Sequence, residues 1–378
     1  MEKSEFIPYG RQDVVKEDIE AVVNVLRSDF LTQGEVVPAF EKKLCDYTGV
    51  KYAVAVNSCT SALHIACLAL GLGDGDILWT SPISFVATAN CALYCGASID
   101  FVDIDVNTAL MSVERLKQKL EQAEKEGKLP KIIIPVHFSG QPCDMKEIYD
   151  LSRQYGFKII EDAAHAIGAT YHNNPVGNCK YSDIAVFSFH PVKIITTGEG
   201  GSAMTNNIFL AEKMRLFRSH GIKKHKAEKG WLYSQSALGY NYRMTDIHAA
   251  LGLSQIQRLG GYIKKRIKIA KLYGELFHEN NMVKMLLQLD DRISSHHLFV
   301  IKVNPLERKF LFNNFRNLKI GVNVHYIPIH LQPYYRKMGF KEGDFPQSEQ
   351  YYSRCISLPI YPKLRIKDVE KIARFVKH

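Results

Sequence analysis

Three groups of residues that could take part in chemistry follow apolar, strand-like runs in this chain of 378 residues. Lys193 follows the run "DIAVFSFHPV", and Asp162 closes the run "FKIIED" with His165 three residues further on. The third feature is the small polar turn "NSCTS", which follows "YAVAV" and precedes a helix-like run. Because ligands bind beyond the carboxyl ends of the strands in an open parallel sheet, these residues are candidates for one site.

Each feature taken alone also has a plain structural explanation. Lys193 could be a cation that lays its stem along the protein and keeps its charge in water. Asp162 could cap a strand, His165 could be a satisfied core residue, and the turn could simply cap a helix. Burial would instead lower the pKa of the lysine and make it a usable nucleophile, and the helix start would hold an anion.

The combination is more informative than its parts. Pyridoxal phosphate (PLP) needs an anion cradle, a carboxylate for its pyridine nitrogen and a lysine for a Schiff base. The three features supply these groups in one chain, which predicts a PLP site. The nearby "GEGGSA" only echoes a dinucleotide fingerprint, because it precedes a strand-like run instead of opening a helix. Its glycines are predicted to allow close backbone approach.

The elements that must position these residues follow a regular order. From about residue 14 to 260, apolar runs of four to six residues alternate with helix-like segments, which is typical of a mostly parallel sheet covered on both faces. After residue 261 the pattern changes to a smaller set of helices and strands. We therefore expect an α/β protein with a large domain at 1–261, including an N-terminal arm, and a small C-terminal α+β domain at 262–378.

The composition of the chain argues against several classes of function. The chain is 46% hydrophobic and 23% charged, as in ordinary soluble globular proteins, and its net charge is +10. The basic stretches are interrupted, which disfavours nucleic acid as a partner. No apolar run of 18 residues predicts a membrane span, and no signal peptide is visible. The eight cysteines contain no C-x-x-C pair, so we expect no metal site and a reducing cytoplasm.

Eight motifs extend the prediction over nearly the whole chain. They are "LTQG", "NSCTSALHIA", "SPISFVATAN", "EDAAHAIGA", "FSFHPVKIITTGEGG", "LFRSHG", "LGYNYRMTDIHAALGLSQI" and "VHYIPI". In this order they closely resemble the sugar aminotransferases of the DegT/DnrJ/EryC1/StrS family. The resemblance implies the aspartate aminotransferase (fold type I) fold. "SPISFVATAN" is most similar to the family branch that aminates UDP-4-keto-6-deoxy-N-acetylhexosamines in pseudaminic acid biosynthesis.

The resemblance also implies roles for the central residues. Lys193 would form the Schiff base with PLP and shuttle the proton, and Asp162 would keep the pyridine nitrogen protonated. His165 would lie beside the ring near its phenolic oxygen, and Phe85 would stack on the ring face.

Further roles concern the phosphate and a second subunit. Cys59 and Thr60, through their backbone N–H groups, and Ser188 would hold the phosphate. Asn241 would reach the cofactor phosphate of the partner subunit, which implies a homodimer with shared sites.

For the nucleotide sugar, the resemblance points to the N-terminal tyrosine, the stretch before "TQG" and the "HYIP" turn. Without the resemblance, Tyr9 would be interpreted as part of an anchored N-terminal arm, and the "HYIP" turn would be interpreted as an ordinary strand end. The implied substrate-binding residues are Tyr9, Asp29, Phe30, Leu31, Thr32, Cys59, Ser188, Asn241, His325, Tyr326, Ile327 and Pro328.

The expected reaction is transfer of an amino group from an amino acid, by family analogy glutamate, to C4 of a nucleotide-linked keto sugar. Related enzymes aminate C4 or C3 ketones on UDP, GDP or dTDP carriers, so the sugar stays open. Related sugar dehydratases carry histidine in place of Lys193, which argues against that reaction. Intact Asp162, Lys193 and Ser188 argue against a non-catalytic regulator, and no well-placed glycine fingerprint supports a nicotinamide oxidoreductase.

Overall fold

The computed structural model describes residues 6–224 and 231–376. The α-helices of these residues are α1 (Lys16–Leu26), α2 (Val36–Thr48), α3 (Cys59–Ala69), α4 (Ala87–Tyr94), α5 (Val113–Glu126), α6 (Met145–Tyr155), α7 (Ile208–Arg218), α8 (Asp246–Ile256), α9 (Leu259–Phe277), α10 (Pro305–Asn317), α11 (Pro333–Arg336), α12 (Pro346–Arg354) and α13 (Ile366–Val376). The strands are β1 (Tyr52–Val56), β2 (Ile77–Thr80), β3 (Ser98–Phe101), β4 (Ile132–Ile134), β5 (Lys158–Asp162), β6 (Thr170–Tyr171), β7 (Asn174–Pro175), β8 (Ile184–Ser188), β9 (Gly201–Thr205), β10 (Ile222–Lys224), β11 (Tyr233–Gln235), β12 (Lys284–Met285), β13 (Arg292–Ile293), β14 (Phe299–Lys302) and β15 (Cys355–Leu358).

A seven-stranded sheet in the order β1-β9-β8-β5-β4-β2-β3 forms the centre of the molecule. Strand β9 runs antiparallel to both of its neighbours, and the other paired strands are parallel. The predicted α/β class with a mostly parallel sheet is therefore confirmed. The parallel pairing of β5 with β8 brings the strand ends that carry Asp162 and Ser188 to the same edge.

Helices cover both faces of this sheet, because the side chains of its strands alternate between two apolar clusters. In β1, Val54 and Val56 pack into one cluster, which contains the buried faces of α3, α4 and α7. Ala53 and Ala55 pack into the other, which contains α2 and α8. A strand that is buried on both faces reads as a continuous apolar run, and this explains the runs in the sequence.

The helix ends follow local capping chemistry. Ser58 precedes α3 in an extended conformation, and its hydroxyl accepts a hydrogen bond from the backbone N–H of Ser61 at 3.1 Å. Helix α5 is rich in charged residues. It begins after Ser112, whose hydroxyl accepts from a backbone N–H, and ends at Gly127 with a φ of 68°.

A second, smaller core lies around the antiparallel sheet β12-β14-β15 and helices α9, α10 and α13. The N-terminal arm joins this core: Ile7 is buried there, its N–H donates to Lys319, and its carbonyl accepts from Gly321. Helix α9 runs continuously across the predicted boundary at residue 261. The division into two domains stays a prediction.

No helix in the described part of the chain is long and apolar enough to cross a membrane. All eight cysteines are free thiols.

Candidate active site

Lys193 lies in the loop that follows β8, where its backbone N–H donates to the carbonyl of His190 at 2.9 Å. The side chain is only partly exposed. Within residues 6–224 and 231–376, its ammonium has no hydrogen-bond or ion-pair partner. Removal from water lowers the pKa of Lys193 to about 8, and the nearby Cys59 and Asp162 oppose this shift. The structure therefore provides an amine that loses its proton near neutral pH.

Asp162 lies at the end of β5 and is 5% exposed. Its Oδ2 accepts from the hydroxyl of Thr88 at 2.6 Å, and its Oδ1 accepts from the backbone N–H of Ala164 at 3.1 Å. The hydroxyls of Thr88 and Ser84 lie 2.7 Å apart. Since Thr88 donates to the carboxylate, it accepts from Ser84, so a short chain of hydroxyls holds the buried carboxylate in one orientation.

The turn before α3 has free donors. Ser61 N–H is satisfied by Ser58, but the N–H groups of Cys59 and Thr60 have no acceptor among the described residues. Gly201 lies directly against this helix start: a Cβ there would be 2.6 Å from the backbone nitrogen of Cys59. Gly201 is also the strand partner of Ser188, so the three predicted phosphate contacts lie around one point.

His165 is buried beside Tyr326 and His297. Its Nε2 is 3.2 Å from the hydroxyl of Tyr326, and its ring centroid is 4.3 Å from that of His297. Burial raises the pKa of Tyr326, so the phenol keeps its proton, and either the hydroxyl or Nε2 is the donor in this contact. Burial and the charge of Lys193 lower the pKa of His165, so its ring is neutral. The Nδ1 of His165 is buried without a partner.

A segment from the C-terminal part of the chain supports His165 from behind. The hydroxyl of Ser295 donates to the carbonyl of His165 at 2.6 Å. Arg266 of α9 is 1% exposed, and its Nη1 donates to the carbonyls of His296, His297 and Ile360 at 3.1, 3.3 and 3.1 Å. No carboxylate pairs with this guanidinium in the described residues. Arg266 therefore acts as a buried clamp on the segment that carries His297.

The sequence did not single out Thr88, His297, Ser295 or Arg266. Thr88 lies inside the quoted motif "SPISFVATAN", where a hydroxyl in a helix with small apolar neighbours is a weak signal. The other three contact His165 or its support from far along the chain, and only the tertiary fold brings them there.

The rings of Tyr9 and His325 lie close to each other. Their ring centroids are 5.5 Å apart, and the carbonyl of Tyr9 accepts from the N–H of Ile360 at 3.0 Å. His325 is buried, with Nδ1 at 2.8 Å from the hydroxyl of Ser357. Burial and the charge of Lys193 lower its pKa to about 3, so it is neutral at physiological pH. The "HYIP" segment, His325–Pro328, forms no strand pair, and the bridge nearest to it joins Asn323 to Ser357 of β15, so the segment is a loop.

Other predicted residues form an exposed rim. The side chain of Phe85 is 60% exposed, and its ring centroid is 6.5 Å from that of Tyr326. Ile327 is 45% exposed, whereas Pro328 is buried and its neighbour Ile329 donates to the carbonyl of Pro82. A ring position for Phe85 over a cofactor stays a prediction.

Asp29–Thr32 and Asn241 are not joined to Lys193 by any hydrogen bond or ring contact in the described residues. All are exposed. Leu31 is fixed only through its carbonyl, which accepts from the N–H of Asp246 at 2.9 Å. The carbonyl of Asn241 accepts from the side chain of Asn57 at 3.4 Å, which places Asn241 at the surface near the α3 turn.

Together these residues fit the groups of PLP. The N–H groups of Cys59 and Thr60 are free for a phosphate, and Gly201 has no side chain that would clash there. Asp162 offers a buried carboxylate, the unpartnered Nδ1 of His165 can donate to an oxygen, and the amine of Lys193 is uncommitted. The fold and this donor set define the class of PLP-dependent aminotransferases.

Comparison with known proteins gives the same class and a family. The chain belongs to the DegT/DnrJ/EryC1/StrS aminotransferase family, whose profile matches residues 12–377. It is 38% identical to the UDP-4-amino-4,6-dideoxy-N-acetyl-beta-L-altrosamine transaminase of Campylobacter jejuni, over 98% of this chain and 96% of that protein. The solved structure of Helicobacter pylori PseC, an aminotransferase involved in the biosynthesis of pseudoaminic acid, aligns with a TM-score of 0.92 and 33% identity, covering 98% of each chain. Spr1654 of Streptococcus pneumoniae, solved in its PLP form, aligns with a TM-score of 0.90 and 29% identity over 99% and 98% of the two chains. The predicted family, enzyme class and cofactor are therefore confirmed.

Proposed function

We propose that this sugar aminotransferase converts a UDP-linked 4-keto-6-deoxy sugar to its 4-amino sugar, as a step of pseudaminic acid biosynthesis, in the cytoplasm. The substrate would be UDP-2-acetamido-2,6-dideoxy-beta-L-arabino-hex-4-ulose, and glutamate would be the amino donor. The observation that carries the sugar assignment is the likeness to the C. jejuni transaminase along almost the whole length of both chains. The PseC likeness supports the same assignment.

The cofactor, when bound, stores the amino group between the two halves of the reaction and withdraws electrons from the reacting carbon. In this proposal Lys193 Nζ removes a proton from Cα of the amino acid and later returns one to C4 of the sugar. The amino acid leaves as a 2-oxo acid, and its nitrogen replaces the carbonyl oxygen at C4. Because the pKa of Lys193 is lowered to about 8, its amine can both accept and release a proton near neutral pH.

The other residues of the chain orient and bind. Asp162 would pair with the pyridine nitrogen, and the Nδ1 proton of His165 would be donated to the phenolic oxygen. Cys59, Thr60 and Ser188 would bind the phosphate, and Phe85 would cover the ring. The sugar nucleotide would lie along Tyr9, Asp29–Thr32 and His325–Pro328.

The substrate assignment is tested with a panel of UDP-, GDP- and dTDP-linked 4-keto and 3-keto sugars, with glutamate as donor and mass detection of the amino sugar. We expect the UDP-linked 4-keto sugar to give the highest kcat/KM. Lys193→Ala should give no product with any sugar, and its visible absorbance should be lost. Lys117→Ala, at an exposed position of α5, serves as the control. Preferential amination of another carrier or of a 3-keto sugar would overturn the substrate assignment.

We also propose a homodimer in which Asn241 completes the site of the partner subunit. The test mixes two inactive variants, Lys193→Ala and Asn241→Ala, after dissociation and reassociation. If sites are shared, each hybrid dimer regains one intact site, and an equal mixture recovers roughly a quarter of the wild-type activity. Activity no greater than the average of the two variants, with hybrids present by mass spectrometry, would show that the sites are not shared.

A further inference from the structure

A crevice of about 690 Å³ lies between α9 and the small sheet β12-β14-β15, outside the residues assigned above to the active site. Its walls are mainly apolar and include Ile267, Ala270, Leu286, Leu298, Phe299 and Val300. Its charged lining is cationic: Lys271, Lys284 and Lys302 line it, and no carboxylate of the described residues does. A volume of this size is typical of sites for small organic molecules.

Two of these lysines lie directly opposite each other on neighbouring strands of the small sheet. Lys284 of β12 and Lys302 of β14 are direct partners in the antiparallel register. Such partners have Cβ atoms about 5 Å apart, and like charges in this arrangement destabilise a sheet. Neither lysine forms an ion pair within residues 6–224 and 231–376. The sheet therefore holds two neighbouring cations, neither of them in an ion pair among the described residues, against an apolar wall.

Lys302 is unusually enclosed for a lysine, since it is 9% exposed. Its ammonium donates to the carbonyl of Val106 at 2.8 Å, which uses one of its three protons. Burial lowers the pKa of Lys302, with Asp105 opposing and the cations Lys284 and Arg354 reinforcing the shift.

Asp105 offsets part of the charge of Lys302, but the two form no ion pair among the described residues. Oδ1 of Asp105 already accepts from the backbone N–H groups of Asn107 and Thr108, at 2.7 and 3.0 Å. Arg354 adds a further charge, and its Nε is buried without a partner. A bound anion would relieve the repulsion between these cations.

We propose that this crevice binds an amphiphilic organic anion, with its head between Lys284 and Lys302 and its apolar body against α9 and β14. A carboxylate, sulfonate or phosphate head satisfies the unused lysine protons with charge-assisted hydrogen bonds. An uncharged apolar molecule would leave the cations unpaired, and a bare inorganic anion would leave the apolar wall in water. The site does not depend on the sugar assigned to the active site.

The probe for the test is 8-anilinonaphthalene-1-sulfonate, titrated by fluorescence into protein saturated with PLP so that the cofactor phosphate site is filled. Lys284→Gln should weaken probe binding roughly tenfold, because one charge-assisted contact is lost. Lys284→Arg should retain binding, and Lys117→Gln on the exposed face of α5 is the matched control. Decanoate should displace the probe from the wild type, whereas inorganic phosphate at the same concentration should not.

Two outcomes would overturn the proposal. One is equal probe affinity in Lys284→Gln and Lys117→Gln. The other is equally tight binding of the uncharged analogue N-phenyl-1-naphthylamine, since the lysines would then have no role. Thermal unfolding separates a ligand role from a structural one: without probe, Lys284→Gln should unfold at or above the wild-type Tm, because it removes like-charge repulsion. A lower Tm together with unchanged probe affinity would show that Lys284 serves the sheet and not a ligand.

Discussion

The floor of the active site and its rim are built in opposite ways. The floor consists of Asp162, His165, Ser188 and Lys193, which come from the ends of β5 and β8 and the loops that follow them. The rim consists of Asp29–Thr32, Phe85 and Ile327, whose side chains are exposed. Asp162 is held by two donors to its carboxylate, whereas no hydrogen bond or ring contact joins Asp29–Thr32 to the floor in the described residues. Rigid strand ends suit the chemistry that every substrate shares, and loops suit the selection among substrates.

The difference between the floor and the rim is tested most severely by replacing an aspartate with asparagine in each of them. Asp162→Asn should lower kcat/KM on the order of 10³-fold, because the buried carboxylate that would pair with the pyridine nitrogen is lost. Asp29→Asn, the same change on the rim, should leave kcat within about twofold of the wild type, since that carboxylate is in water. Both are measured with saturating PLP. A comparable fall in kcat for the two variants would remove the distinction between floor and rim.

The second prediction concerns pH and the floor alone. Since the pKa of Lys193 is lowered to about 8, its reactive free amine accumulates at a lower pH than for an ordinary lysine. The rate at which the apoprotein captures PLP, followed by visible absorbance, should rise about tenfold per pH unit up to about pH 8 and then level off. Asp162 opposes the shift, so Asp162→Asn should move the midpoint to lower pH. A wild-type rate that still rises steeply between pH 9 and 10 would contradict the assignment.

The floor could be predicted from the sequence because its signals are local. A lysine and an aspartate that follow apolar runs are conspicuous, and the parallel sheet brings such strand ends to one edge. Strand β1 begins and ends with the strand-like run "YAVAV". The antiparallel direction of β9 was not predicted, because an apolar run such as "GSAMT" carries no information about direction. The clamp of Arg266 on the His297 segment was also missed, because it joins residues that only tertiary packing brings together.

A hydroxyl buried in the floor provides the third prediction. Thr88→Val removes the donor at 2.6 Å from Asp162 and leaves the carboxylate with one fewer hydrogen bond. We expect roughly tenfold weaker PLP binding and a similar loss of kcat/KM, the typical cost of a hydrogen bond to a buried charged group. Thr88→Ser keeps the hydroxyl and should restore both values. Thr32→Val, a rim substitution of the same type, should leave PLP affinity unchanged, and equal losses of PLP affinity in both valine variants would contradict the role of Thr88.

The smallest expected effect is that of a substitution on the rim, and it tests whether the rim acts on substrate binding alone. Ile327 is 45% exposed beside Tyr326, so Ile327→Ala removes apolar contact area without disturbing a buried group. We expect KM for the sugar nucleotide to rise about threefold, as for partial loss of apolar contact, while kcat and PLP affinity stay at wild-type values. Ile366→Ala on α13, where the side chain is 50% exposed, controls for nonspecific effects. A fall in kcat with unchanged KM would place Ile327 with the floor, because that pattern indicates an interaction made only in the transition state.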